Sequence, residues 1–304
     1  MKDLNPLQDL HETITQQIIE ERNREMAELV AEKRRIAQSA QGRYQAGIKA
    51  VGAMGIQTSN IDALNLELSA SVDEELLSIE KQMEEQSQQA FPVAGLDVDR
   101  ALLPDGAKML TPSWVAAFSD DDVEDKLTDS SLVAPQSLLS SGCDRNYFNR
   151  AKGNGSGLFG TGDGKIQSWV DFGFWFKPEA NRFYNIRPQF RLRGYIIVTS
   201  DNGVFTSKRA DVLAIAKTNV YQYSWKGWND VILFDVGGGN INVSRRMDMD
   251  RHTDNIYLLG ANDWAYIRCT IGLYAYARGS GSHAKNDFSS GAANYLCVPH
   301  CHVF

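Results

Sequence analysis

The chain has no uninterrupted apolar run approaching the roughly 18 residues that a membrane-crossing helix requires. Its opening, MKDLNPLQDLHET, has no basic segment followed by an apolar block. The expectation is synthesis as a cytosolic soluble chain, with its final location left open. Four cysteines in 304 residues do not amount to a disulfide framework. No βαβ alternation appears, which argues against a nucleotide-binding α/β fold, and no G-x-S-x-G elbow accompanies the five histidines. Glutamate is nearly missing from the C-terminal part, where Glu179 is the only one after residue 140. No paired-carboxylate signature stands out there. The expectation is therefore a protein that is not an enzyme and carries no cofactor.

What is present falls into two compositions. Residues 1–90 hold nine basic and sixteen acidic side chains, residues 91–140 three and nine, and residues 141–304 nineteen and thirteen. Ten of eleven tyrosines and five of six tryptophans also lie in the last stretch. This asymmetry matters more than the net charge of −7. It divides the chain into a helical stalk (1–90), an acidic Pro/Ser/Asp-rich linker (91–140) and an all-β head (141–304). The expected class is α+β in two segregated parts, a helical hairpin or coiled-coil stalk followed by an antiparallel, jelly-roll-like sandwich.

Asn5-Pro6 reads as a helix start, with a capping side chain before proline at the first helical position. An apolar stripe including Leu29 and Ile36 follows, interrupted by Arg22 and Lys33. Gly55 supplies a stop, and Asn60 a cap for a second helix bearing Ile61, Leu64, Leu68, Val72, Leu76, Ile79 and Met83. From Ile61 to Met83 the stripe repeats every 3.67 residues or about that, which favours a nearly straight bundle. Each helix has one narrow apolar stripe on a polar surface, so the hairpin is expected to oligomerise through those residues, the alternative being an intramolecular helical pair resting on the β-domain. The tip, YQAGIKAVGAMGIQ, is rich in glycine and alanine. Glycine costs about 1 kcal/mol against alanine in a helix, so the run needs a reason. Close helix approach is one; a labile tip presenting Ile48, Val51 and Met54 to a bilayer, as in helical pore-forming toxins, is the alternative.

From Gln167 the period switches to two. In WVDFGFWFK, Val170, Phe172, Phe174 and Phe176 face one way, and Trp169, Asp171, Gly173 and Trp175 the other. Asp201-Asn202-Gly203 is a hairpin signal. In WAYIRCTIGLYAYARG one face is small and apolar, while Tyr266, Arg268, Tyr274 and Tyr276 share the other. Tyrosine beside arginine is a recognition composition, so these four are the candidate ligand residues.

Several chemical motifs fail on inspection. AKGNGSGLFGTGDGKIQ lacks the Gly-x4-Gly-Lys-Ser/Thr spacing of a phosphate loop. The aspartates of RRMDMDRHTD lack the central glycine and terminal glutamate of a calcium loop. The aspartate run 120–125 reads as a solvated loop or helix start. At the C-terminus, Cys297, His300, Cys301 and His302 crowd one extended stretch. A tetrahedral metal site draws ligands from two spaced pairs, so no metal is expected and these four are the weak candidates. Arginines in the +6 head are scattered and the stalk is acidic, so no nucleic-acid partner is expected.

At the level of architecture alone, a helical stalk before a sandwich head resembles phage fibres, viral spikes and bacterial appendage proteins. The leading expectation is a non-enzymatic structural or adhesive homo-oligomer whose head binds a surface glycan, a protein or another assembly component. The alternatives are a membrane-active protein and a sandwich glycosidase, which would need only two carboxylates distant in sequence.

Overall fold

The computed structural model describes residues 6–89, 103–119, 150–154, 163–200, 208–279, 281–288 and 293–304. Helix α1 (Pro6–Ala53) runs for 48 residues, about 72 Å at 1.5 Å per residue. It ends at Gly55, which takes a left-handed conformation with φ of 80°. The Ile56 N–H then donates to the Val51 carbonyl and the Gly55 N–H to that of Gly52, the pairing that satisfies otherwise orphaned helix-end carbonyls. Helix α2 (Thr58–Ser87) begins two residues before the expected cap, with Gln57 in the capping position and making no side-chain cap.

The strands are β1 (Lys108–Leu110), β2 (Trp114–Ser119), β3 (Arg150–Asn154), β4 (Asp163–Phe176), β5 (Arg182–Ser200), β6 (Arg209–Gln222) and β7 (Ser224–Trp225). Then follow β8 (Asn229–Gly238), β9 (Ile241–His252), β10 (Asn255–Leu259), β11 (Ala265–Arg278), β12 (His283–Asp287), β13 (Tyr295–Cys297) and β14 (Cys301–Val303). They form two antiparallel sheets. The first runs β1-β14-β5-β12-β3, with β9, β10 and β13 also pairing the long β5. The second runs β2-β4-β11-β6-β7, with β8 on β6. The segregated α+β class is thus observed. Within the segment read as a linker, β1 pairs β14 at a sheet edge and β2 joins the other sheet, where Trp114, Val115, Ala116 and Phe118 are all buried.

The hairpin expected at Asp201-Asn202-Gly203 needs correcting. Those three residues lie outside the described set, but the flanking strands belong to different sheets: β5 pairs β9 and β12, whereas β6 pairs β11 and β8. Strands β5 and β6 are therefore not hairpin partners. A turn motif signals a reversal, and the partners that decide its sheet lie far along the chain.

The alternations of β4 and β11 are realised as expected. Val170, Phe172, Phe174 and Phe176 meet Ile267, Cys269, Ile271 and Leu273 in the main core between the sheets. The opposite, aromatic face of that sheet is covered by α1. Ile14, Ile18, Met26 and Leu29 bury against Trp114, Phe118, Trp169 and Tyr266. On the other sheet's outer face, α2 buries Met83 against Tyr195 and Ile197, with Ile79 alongside. The two helices therefore straddle the sandwich. With sheets about 10 Å apart and each helix about 10 Å from its sheet, the axes stand about 30 Å apart there. A four-residue turn joins them, so the arms diverge from the tip.

The docking of α1 has a simple measure. His11 meets Trp175 near one end of β4, and Glu32 pairs with Lys165 near the other. Twenty-one helical residues span about 32 Å and ten strand residues about 33 Å, so α1 tracks the strand from end to end. Past Glu32 it leaves the sheet, and no described side chain from 31 to 53 is buried.

Candidate functional site

The face expected to bind ligand is occupied by the chain itself. Tyr266 and Arg268 are fully buried beneath α1, and Tyr274 and Tyr276, further along β11, are half-buried. The reason is a charge cluster at the helix–sheet junction. Asp171, on β4, receives Arg22 from α1 (Nε–Oδ2 2.8 Å, Nη2–Oδ1 3.0 Å) and Arg268 from β11 (3.1 Å to each oxygen). Thr270 donates to the same carboxylate. At the rim, Glu25 holds Arg22 at 2.5 Å and Glu21 holds Arg268 at 2.6 Å. Burial alone would raise the Asp171 pKa, but the two guanidinia hold it well below the usual carboxylate range. The cluster docks a helix; it leaves no opening for a substrate.

Helix α2 is fixed in a similar way. Glu80 meets Lys285 at 3.3 Å and His283 at 3.4 Å, and Lys285 reaches Asp287 at 3.3 Å. Tyr195 donates to Asp287 at 3.1 Å. Arg246 donates to the carbonyl of Gln89, just past the end of α2. This helix covers only part of its sheet, and among the described residues no helix lies over the outer face of β5 from Arg193 back to Arg182, where Arg187, Arg191 and Arg193 are half-buried.

That open face is the candidate site. Alternation puts Phe183, Asn185, Arg187, Gln189, Arg191 and Arg193 outward, while Tyr184, Ile186, Phe190 and Leu192 enter the core. Neighbouring β9 supplies Asp248 and Asp250, and the turn before β10 supplies Asp254. Arg193 pairs with Asp248 at 3.0 Å, Arg191 with Asp250 at 3.0 Å and Arg187 with Asp254 at 2.7 Å. The three aspartates read as a loose calcium pattern in sequence are therefore each matched by an arginine. Burial raises the Asp254 pKa, yet hydrogen bonds from Arg187 and Asn185 outweigh it and leave it lowered. Aromatic rings flank the row, with the Arg193 guanidinium 5.5 Å from the Tyr295 ring centre and that of Arg187 5.1 Å from Phe304. At its end Phe183, Ile256 and Leu258 are 67, 68 and 56% exposed, Leu258 directly across from Phe183. Sequence reasoning passed over this row. Its signal was the charged half of the FYNIRPQFRLR alternation, matched by aspartates two apart in MDMD.

The C-terminal cysteines and histidines do not converge. Cys297 is buried and disulfide-bonded, and Cys301 is a buried free thiol in the core whose pKa is raised by burial. Strand alternation turns His302 the other way, where its ring meets that of His300 at 4.6 Å. Among the described residues no group of three metal-type ligands gathers anywhere. Burial, with His302 and Arg191 nearby, pushes the His300 pKa down to about 4, against a smaller upward pull from Asp250. A group so depressed binds its proton more readily unfolded. Its stabilising effect is complete above about pH 6.5 and declines as pH falls towards 4. Urea melts of His300→Gln and the parent at pH 7 and pH 4.5 should therefore diverge, the variant losing about 1–2 kcal/mol less on acidification.

Of the residues expected to assemble copies, Leu29, Ile79 and Met83 lie against the chain's own sheets, while Leu76 and Ile36 are half-buried. Ile61, Leu64, Leu68 and Val72 lie outside the described side chains. At the tip Ile48 and Val51 are half-buried, and Met54 is 70% exposed. No described helix is long and apolar enough to cross a membrane.

No family model and no curated protein matches the chain. Among solved structures it is similar to the TmCBM61 carbohydrate-binding module in complex with β-1,4-galactotriose. That match has 6% identity and a TM-score of 0.20, and covers 66% of this chain and 88% of the module. It is also similar to the enzymatically active domain of bacteriophage CBA120 tailspike protein 4, with 11% identity and a TM-score of 0.16 over 49% of this chain and 21% of that one. An Arthrobacter globiformis T6 isomalto-dextranase complexed with panose matches at 10% identity and a TM-score of 0.19, over 65% of this chain and 32% of the enzyme. At these scores the likenesses carry no functional weight.

Proposed function

We propose that this chain is a non-enzymatic structural or adhesive protein whose sandwich head binds a surface glycan on the open half of the β5 sheet and whose helical hairpin gathers copies. One observation carries the reading: the Arg187–Asp254, Arg191–Asp250 and Arg193–Asp248 row left uncovered by α2. Three cations and three anions make the row neutral. A polyanion would meet a carboxylate beside each arginine. A sugar hydroxyl both donates and accepts, so it suits alternating guanidinium and carboxylate groups at fixed spacing. The exposed side chain of Phe183 and the ring of Phe304 supply the apolar platform that sugar C–H faces need. Repetition through the hairpin would turn weak single-head affinity into firm attachment.

Within the row, Asp254 is unsuited to the general-acid role that the glycosidase alternative requires. A general acid needs a raised pKa, and Asp254 is shifted downward. The membrane alternative has Met54 and Ile56 in its favour, both exposed at the tip. Release of liposome contents that disappears in Met54→Asp would support it, and no liposome association at any pH would remove it.

The glycan reading is tested on an array followed by calorimetry. Arg191→Ala should weaken binding at least tenfold, the effect of losing one charge-assisted hydrogen bond of about 1.5–3 kcal/mol. Tyr274→Ala, away from the row, should leave it unchanged. Failure of the parent to bind any arrayed glycan would overturn the proposal for the head.

A further inference from the structure

Strand β5 carries four arginines, and three of them, Arg187, Arg191 and Arg193, have an aspartate each. The fourth, Arg182, opens the strand. Its exposed guanidinium lies 4.5 Å from the Tyr184 ring centre and hydrogen-bonds that tyrosine, but no aspartate answers it. Nearby, Lys108 holds Glu179 at 2.5 Å. That carboxylate is kept below its ordinary pKa first by the Lys108 hydrogen bond and charge, with the Arg182 charge adding to the pull. Two cations thus share one carboxylate, and one positive charge is left over.

These groups line a cavity of about 270 Å³, walled by Phe176, Tyr184 and Val303. Pockets that enclose drug-sized ligands run from roughly 300 to 1,000 Å³, so this one admits a single small group. Its rim is held in place by the chain itself. The Tyr184 hydroxyl donates to the Ala180 carbonyl and accepts from the Ala180 N–H, both at 3.2 Å. From the loop after β10, the Asn262 N–H donates to the Pro178 carbonyl at 2.8 Å and the Ala261 N–H to the Asn181 side chain at 2.5 Å. A fixed rim spares a ligand the cost of ordering it. The cavity also adjoins the end of the arginine–aspartate row, because Arg182 precedes Phe183, and Val303 precedes Phe304.

Resting on the reading that the row binds a glycan, we infer that this cavity takes the carboxylate of one acidic sugar residue at the end of that glycan. The guanidinium fork of Arg182 matches a carboxylate in shape, and one unmatched positive charge calls for one negative charge. A phosphate monoester brings about −1.5 to −2 and overshoots. An amino acid, neutral overall, leaves the charge unanswered. Glu179 repels a bare carboxylate but accepts from a hydroxyl beside it, and an acidic sugar carries both groups on one ring. The neutral row gives no place to further acidic residues, so the rest of the glycan is uncharged.

The test is calorimetry on the full chain with a galactose disaccharide capped by one glucuronate, set against its methyl ester, which has the same shape and no charge. The parent should bind the acid about tenfold or more tighter than the ester, and Arg182→Gln should bind the two alike. Equal affinity of the parent for acid and ester overturns the inference, as does a preference that survives Arg182→Gln. Sodium acetate that displaces the acid at equal concentration overturns the assignment to a sugar. Arg191→Ala separates this site from the row. If it weakens acid and ester by the same factor, the row binds glycan whatever the cavity does. If it changes neither while Arg182→Gln removes the preference, the row reading fails and the acidic-sugar cavity stands.

Discussion

Asp171→Ala is expected to loosen the whole α1 grip and cost about 3–5 kcal/mol, the range for removing one partner of a buried ion cluster. The variant leaves two guanidinia, Arg22 and Arg268, facing each other with no carboxylate between them. Both are almost fully buried, so water cannot replace the lost partner. Arg22 is also 5.2 Å from the Trp169 ring centre, so its departure strips the tryptophan of its cover. Denaturant melts followed by tryptophan emission and limited proteolysis of α1 check this. Replacing the triad together (Arg22→Met, Asp171→Leu, Arg268→Met) should recover most of the loss, because similar apolar volume removes the desolvation cost on all three. If Asp171→Ala loses under about 1 kcal/mol and α1 stays protected, the triad does not hold the helix. The sign with pH is fixed by the depressed Asp171 pKa. Its contribution is complete above the unfolded value near 4 and falls away only below it, so the grip should persist from pH 8 to about pH 4.

The triad also marks how far the sequence could be read. Arg22 appeared as a break in an apolar stripe, Asp171 as a charge among aromatics, and Arg268 as a candidate ligand contact beside tyrosines. Each was an irregularity in an otherwise legible pattern. The alternation itself was sound: the core faces of β4 and β11 came out of the period of two without other information. So did the division into helix and sheet, which followed from where tyrosine, tryptophan and glutamate fall. What covers an outward face is a different kind of fact. It depends on an element some 150 to 250 residues away, and no local spacing encodes it. The same limit explains why β5 and β6 fall in different sheets, since a turn signal says nothing about strand partners.

The open row of β5 was missed for a related reason. Arginines on alternate positions look scattered along a chain, and aspartates two apart look like fragments of a cation loop. Only the antiparallel register puts Arg191 opposite Asp250 and Arg193 opposite Asp248. Once paired, neither set can do what it suggested alone. The basic residues do not make a polyanion site and the acidic ones do not make a calcium site. What remains is a neutral hydrogen-bonding surface. Helix α2 sets its boundary, since it fixes where the part of β5 that it does not cover begins.

Gly194→Ala should be the most damaging single methyl group in the head. Gly194 sits near the middle of β5, opposite Met247. A Cβ there would overlap the carbonyl of Asp287 and the ring and Cα of Phe288. These are not exposed side-chain ends that can swing away. Phe288 is fully buried, 6.2 Å from the Phe234 ring, and the Asp287 backbone is held in register by β5 itself. Overpacking a core costs about 1–3 kcal/mol when side chains can give, and the loss here should reach or pass 3 because backbone must move. Asp287 also ties Tyr195 and Lys285 into the α2 cluster, so the strain should reach that helix and expose it to protease. Gly260→Ala is the control: a Cβ there meets nothing nearer than 3.4 Å, and it should change stability by about 0.5 kcal/mol or less. Equal melts for the two variants would mean that β12 does not cross β5 as closely as described. The α2 cluster and the edge of the arginine–aspartate row beside it would then have to be placed differently.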